Sequence, residues 1–247
     1  MSPHSGNPDD EQGIAPGGSR LFRHGGQRSR DATVAAPHIE EISRHIETHL
    51  GEIGGVFQEI VSDGVRIDVH AVPPTVELPC LRLVTSGMSD LPMAMPEGMG
   101  GPDRMELMIT LPADWRTDQT SFQDENWYWP IRLLKFLARL PHLYDTWLGF
   151  GHTIPNGDPP APYASNVRFD GAIILPPLSA PDDFGRLELE DGGTIVFMTA
   201  LPLYPEEMAL KLDCGTDALL ERLDKRKAGD IADPRRANAA KKRFGLF

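Results

Sequence analysis

Val65-Arg66-Ile67-Asp68-Val69-His70-Ala71 alternates apolar and polar side chains, the two-residue period of a strand with one face buried. Pro73 and Pro74 end it. Downstream, residues 80–85 and 104–111 predict two more strands. The stretch between them, 86–102, is rich in Met, Pro and Gly and reads as a loop. Its Met88, Met93, Met95 and Met99 either form an adaptable, sticky surface or pack down onto the sheet. Upstream, Ile39, Ile42, Ile46 and Leu50 recur at helical spacing, with Glu40, Glu41, Arg44 and Glu47 elsewhere on the wheel. Gly51 stops that helix.

Further along, Trp127, Ile131, Leu134 and Ala138 mark one face of a second helix, and Leu133, Phe136, Leu137 and Leu140 widen it. A helix apolar over most of its circumference is buried. It starts near residues 127–130, where Pro130 fits the first turn, and is expected to end before Pro141. Strands are predicted at 146–150, 168–175 and 194–200. Pro205 then opens a third helix with Glu206 and Glu207 at its positive end, Gly215 caps it, and Thr216 restarts a shorter one to Leu223. Strands come in runs instead of alternating strictly with helices. The fold class is therefore α+β, a central mixed sheet flanked by helices in a single domain.

Charge divides the 247 residues into three parts. Residues 37–224 carry 12 Lys and Arg against 30 Asp and Glu, a net of −18. Residues 1–36 are neutral, rich in Gly and Pro, and expected to be a disordered tail. Residues 225–247 carry a net of +6 and are expected to be a flexible basic tail. In an alternative reading, Lys225-Arg226-Lys227 and Lys241-Lys242-Arg243 dock onto the acidic core. A body this acidic repels nucleic-acid phosphate and anionic lipid and steers a cationic partner toward itself. Cys80 and Cys214 form no metal-type pair, no signal-peptide h-region is present, and no apolar run is long enough to span a bilayer. The sequence reads as soluble and cytoplasmic.

No nucleophile elbow, phosphate-binding Gly-Lys-Ser/Thr loop, His-Glu-x-x-His or Cys-x-x-Cys occurs, so no catalytic residue, metal site or cofactor is assigned. His45 and His49 share a helix face with Glu41 and could grip a metal, or could simply lie on a solvated face. The most unusual stretch is residues 141–153, where His142, Asp145 and His152 could serve acid–base chemistry. Gly149 and Gly151 would let another backbone approach. Trp127, Trp129, Trp147 and Tyr204 are equally readable as one aromatic core.

Several motifs, in order, carry a family resemblance. They are Thr85-Ser86-Gly87-Met88, the run Leu-Met-Ile-Thr-Leu-Pro-Ala-Asp-Trp at 107–115, Trp-Tyr-Trp-Pro-Ile-Arg-Leu-Leu-Lys at 127–135, and Ala138-Arg139-Leu140-Pro141. The stretch 146–153, then Phe169-Asp170-Gly171, Phe184 and Pro202-Leu203-Tyr204-Pro205-Glu206-Glu207-Met208 complete the set. Over about residues 38–223 the chain resembles the Suppressor of fused family, most closely its bacterial branch. The resemblance implies a mixed α/β domain at 37–224 that works by binding protein. In the animal member such a domain and a second one clamp a short peptide, which adds as a strand. This chain is too short for that second domain, and the acidic residue expected just before His152 is Gly151 here. Bacterial relatives of the immunity-protein type, which neutralise toxins, are the nearer analogue.

The expected partner is thus a protein, a basic polypeptide or toxin, and neither nucleic acid nor membrane. The expected binding residues are Asp145, Thr146, Trp147, Gly149, Gly151, His152, Thr153, Tyr204, Glu206 and Glu207. The competing expectation is a hydrolase-like enzyme or small-ligand binder using His142, Asp145 and His152.

Overall fold

The computed structural model describes residues 11–24, 37–58 and 65–241. Its strands are β1 (Glu11–Ile14), β2 (Arg20–Phe22), β3 (Gly55–Phe57), β4 (Asp68–Val72), β5 (Cys80–Ser86), β6 (Arg104–Pro112), β7 (Thr153–Pro155), β8 (Gly171–Leu175), β9 (Arg186–Glu188) and β10 (Thr194–Leu203). Its helices are α1 (Ile39–His49), α2 (Glu125–Tyr144), α3 (Pro205–Cys214) and α4 (Thr216–Lys225). The main sheet runs β3-β4-β5-β6-β10-β8-β7, and β9 pairs with the start of β10. Neighbours are antiparallel except β6 and β10, which run parallel from Arg104↔Ile195 to Met108↔Thr199. The sheet is therefore mixed, as the pattern of elements predicts.

Alternate residues of each strand face opposite sides, and both sides are covered. On one, Leu83, Leu107 and Ile109 meet Trp129, Leu133, Leu134 and Leu137 of α2. On the other, Val72, Val84, Met108 and Phe197 meet Ile42, Ile46 and Leu50 from α1 and its cap. Further along that side, Leu201 and Leu203 pack with Leu219 and Leu223 of α4. Truncating a fully buried leucine here, such as Leu134 or Leu137, costs about 2–5 kcal/mol. Met88 and Met93 are buried, and Met95 packs against the same core, so the methionine loop folds down onto the sheet; only Met99 stays exposed.

The second helix departs from expectation at both ends. It begins at Glu125, capped by the Asp124 side chain on the Asn126 amide, so Pro130 lies in its second turn. Proline cannot bond the Asn126 carbonyl; that carbonyl instead accepts from Asn166 Nδ2 at 3.1 Å. The helix also continues through Pro141, because burial of Leu140, Pro141 and His142 holds the final turn despite the missing N–H. The strand expected at 146–150 is a loop. Of its apolar residues Leu148 is buried, Trp147 half-buried and Phe150 exposed, and the Thr146 backbone bonds to Pro141 and Ala94 instead of to a neighbouring strand.

Both chain ends also differ. Within the stretch expected to be disordered, β1 and β2 form an antiparallel hairpin, since backbone pairing and docking onto the body compensate for its poor apolar content. Residues 1–10 and 25–36 lie outside the described residues. The stretch expected to be a flexible basic tail packs on the body as far as residue 241. Ile231 bridges to Thr110 in parallel, the Ala232 amide donates to the Thr110 carbonyl at 2.7 Å, and Asp230 accepts from the Ser179 amide and hydroxyl. These bonds, with the pairing of Arg236 to the buried Glu207, offset the chain entropy that composition alone emphasises. Lys242 and Arg243, named for possible docking, lie outside the described residues. No helix among the described residues is long and apolar enough to cross a membrane.

Candidate functional site

The loop from α2 to β7 is fixed by its own backbone. Asp145 caps α2 in the left-handed region (φ 52°), and its amide and that of Thr146 both donate to the Pro141 carbonyl. The Thr146 carbonyl accepts from Ala94 at 3.0 Å, and Leu148 is buried. Trp147 lies flat over Gly149, where a Cβ would sit 2.5 Å from the indole ring, and it meets the His152 ring at 4.2 Å. Gly151 adopts φ +77° and donates to the Ile174 carbonyl at 2.8 Å. A side chain there would meet Thr216 Oγ1 at 3.0 Å, so the acidic residue that the resemblance leads one to expect has neither a suitable backbone nor room.

His152 follows, with its carbonyl accepting from Ile174 and leading into β7. Burial, and then the Lys211 ammonium, push its imidazole down to about 4, against a raising hydrogen bond with the Trp147 backbone. It is therefore neutral near pH 7. Thr153 pairs with Ile173 in β7, the terminal strand of the sheet, whose outer side carries no further strand of the sheet order. Helix α3 approaches this end of the sheet through Met208 and Lys211. A Cβ on Gly171 would contact Met208, and Thr216 packs on Gly151, so the intervening Lys211 falls beside His152.

Tyr204, Glu206 and Glu207 form a separate group at the start of α3, and the C-terminal segment covers it. Glu207 is fully buried. Arg236 grips its two oxygens at 2.7 and 2.6 Å, and the Tyr204 and Ala239 amides donate to the same carboxylate at 3.0 and 2.7 Å. The Arg236 guanidinium lies over the rings of Tyr204 (4.8 Å) and Phe169 (5.0 Å) and also bonds the Pro202 carbonyl. The Tyr204 hydroxyl donates to the Arg236 carbonyl, and Glu206 accepts from Asn238 Nδ2. Of the sequence-predicted residues, the structure thus brings 145–153 together along β7 and engages Tyr204, Glu206 and Glu207 internally. Arg236 was not singled out, because its partner lies 29 residues away and one arginine in a basic run carries no local signal.

His142, His45 and His152 each bond the backbone of a different segment. Buried His142 bonds the Met88 carbonyl through Nε2 at 2.9 Å. His45 bonds the Phe184 carbonyl and stacks on Phe184 and Phe197. Together with His49 it lines a groove of about 310 Å³ against Glu188 and Glu190. Among the described residues, no three metal-binding side chains converge. The Thr85-Ser86-Gly87-Met88 motif wraps the buried Glu106 carboxylate, which accepts from the Thr85 and Ser89 hydroxyls and the Gly87 and Ser89 amides. Gly87 is required because a Cβ would fall 2.1 Å from the Arg66 carbonyl. Beside this knot, burial and then the Glu106 carboxylate raise the pKa of Asp90 to about 7.

Comparison with known proteins gives one family. Residues 63–237 match the family described as Suppressor of fused protein (SUFU). Among solved structures, a Suppressor of fused homologue from Neisseria gonorrhoeae is similar at 18% identity and a TM-score of 0.62, over 84% of this chain and 100% of that one. A Sufu protein in complex with Fu is similar at 15% identity and a TM-score of 0.59, over 83% of this chain and 93% of that one. No curated protein matches the sequence.

Proposed function

The chain belongs to the Suppressor of fused family, and from that premise we propose that it acts by binding another protein, along the outer edge of β7 and the loop that leads into it. The observation that carries this reading is the place of β7 at the end of the sheet, next to a loop whose backbone is held on three sides. An edge strand offers its backbone to an extended segment, which gives affinity, while neighbouring side chains give specificity. The relative solved with Fu is itself a protein complex. The surplus of carboxylates between residues 37 and 224 favours a basic partner by steering its approach, and a toxin neutralised by the chain fits that description.

The enzyme reading has less support. His142 and His152 each bond backbone of a different segment, and His152 is held neutral by burial. A pull-down with the full chain against the products of adjacent genes tests the binding proposal. One protein is expected to be retained at low salt and progressively lost as salt rises. Retention of none of them, alongside turnover of a small molecule that His152→Ala abolishes, would overturn it.

A further inference from the structure

Three contacts between the described hairpin residues and the body lie around β7. The hairpin's turn inserts at the α3–α4 junction: the Gly17 amide donates to the Leu212 carbonyl at 2.6 Å. A Cβ on Gly17 would lie 2.2 Å from the Gly215 nitrogen and 2.8 Å from that of Cys214, so only glycine allows so close an approach. This junction is also the wall behind Gly151, through Thr216. Past β2, the ring of His24 stacks on Tyr144 at 5.1 Å, directly before Asp145. Arg23 pairs with Asp158, three residues beyond the end of β7, at 3.4 Å. The anchors therefore lie before, behind and after the 145–155 stretch.

The character of these contacts differs from that of a core. Ala15 is the one buried apolar residue of the hairpin, while Ile14, Leu21 and Phe22 are exposed. The Arg23–Asp158 pair is 69% and 74% exposed, so it holds weakly and is screened by salt. The hairpin carries Arg20 and Arg23 against Glu11 and sets Arg23 on Asp158, so it is weakly basic like the partner expected for an acidic body.

Resting on the reading of β7 as the binding edge, we infer that residues 11–24 are a tethered occupant of that edge and its lead-in loop, which a protein partner must displace. A segment joined to its site by a short chain competes at an effective concentration of roughly millimolar, without needing strong contacts. Access is then set by the hairpin, and partners with a basic extended segment displace it best.

The test uses the full chain and a full-length Gly17→Val/His24→Ala variant, whose changes lie outside the β7 site. In the variant, hydrogen exchange at residues 144–158 is expected to rise about tenfold or more, because an edge covered by a docked segment becomes open. A synthetic peptide of residues 11–24 is expected to bind the Gly17→Val/His24→Ala chain and to bind the unaltered chain at least about tenfold more weakly, its site being already filled. Unchanged exchange, or a peptide that binds both chains equally or neither, overturns the inference. Arg23→Asp in the full chain, a milder change, gives the same comparison should the double variant fold poorly. These readouts need no partner protein. If they come out as expected while no partner ever uses the edge, the reading of β7 fails and the hairpin's placement stands.

Discussion

The two ends of the chain return to the same body by different means. The C-terminal segment is fastened by an ion pair in which Arg236 and Glu207 are 6% and 0% exposed, with both carboxylate oxygens gripped and two rings beneath the guanidinium. The contacts of the N-terminal hairpin include a glycine contact, a ring stack and an ion pair open to water. A buried pair makes its segment part of the fold, since removing one partner strands a charge. An exposed pair leaves its segment exchangeable. The difference separates a segment fastened by a buried charge from one held by contacts open to water.

The comparison breaks first, and most severely, at Arg236. Arg236→Ala is expected to cost about 3–5 kcal/mol in urea unfolding, because it leaves the Glu207 carboxylate buried and unpaired. A loss under about 1 kcal/mol would place this pair in the same class as the N-terminal one.

Acid acts on the β7 side. The folded His152 stays neutral down to about pH 4, whereas in the unfolded chain it takes up a proton below its ordinary value of 6.5. Its contribution is therefore complete above pH 6.5 and lost as pH falls toward 4, an effect of about 2 kcal/mol after allowing for partial exposure. Asp90 opposes this trend, since its raised value of about 7 gives stability that is present below pH 3.8 and lost as pH rises through 7. The informative quantity is consequently the difference between the parent and His152→Gln, measured by urea unfolding from pH 7 to 4. A difference that stays constant with pH would show that His152 titrates normally.

A smaller change sharpens the picture of the wall on which the hairpin rests. Gly151→Ala is expected to cost about 1–2 kcal/mol, from its positive φ and the approach to Thr216, and should lower the melting temperature accordingly. Smallest of all, Arg23→Ala should change global stability by less than about 1 kcal/mol. An effect as large as that of Arg236→Ala would erase the distinction between the two ends.

The sheet was largely readable from the chain because alternation reports burial directly. Val69, Leu83, Leu107 and Phe197 all lie in the cores that their pattern predicts. The start of α3 was equally readable from Pro205 followed by two glutamates. Elsewhere, apolar character was a poor guide to backbone pairing. Trp147 and Leu148 are wanted by the core, yet their segment finds its hydrogen bonds at Pro141 and Ala94, which no local pattern announces. Within the candidate site, the loop at 145–153 was legible through its glycines and aromatics. The internal role of Glu207 was not, because it depends on an arginine brought from far along the chain. For residues 11–24 and 225–241 composition was a poor guide, because it counts what a segment can bury by itself and not what it meets on the body.

The parallel pairing of β6 with β10 sets an order on how the molecule is made. Strands β4, β5 and β6 form a local antiparallel meander that is complete once residue 112 has been synthesised. The open side of β6 must then wait until residues 195–199 emerge. Closing so distant a pair is slow, and an unpaired strand edge invites wrong partners in the meantime. The ribosome thus delivers the central seam of the sheet late, with Arg236 arriving later still to pair with Glu207.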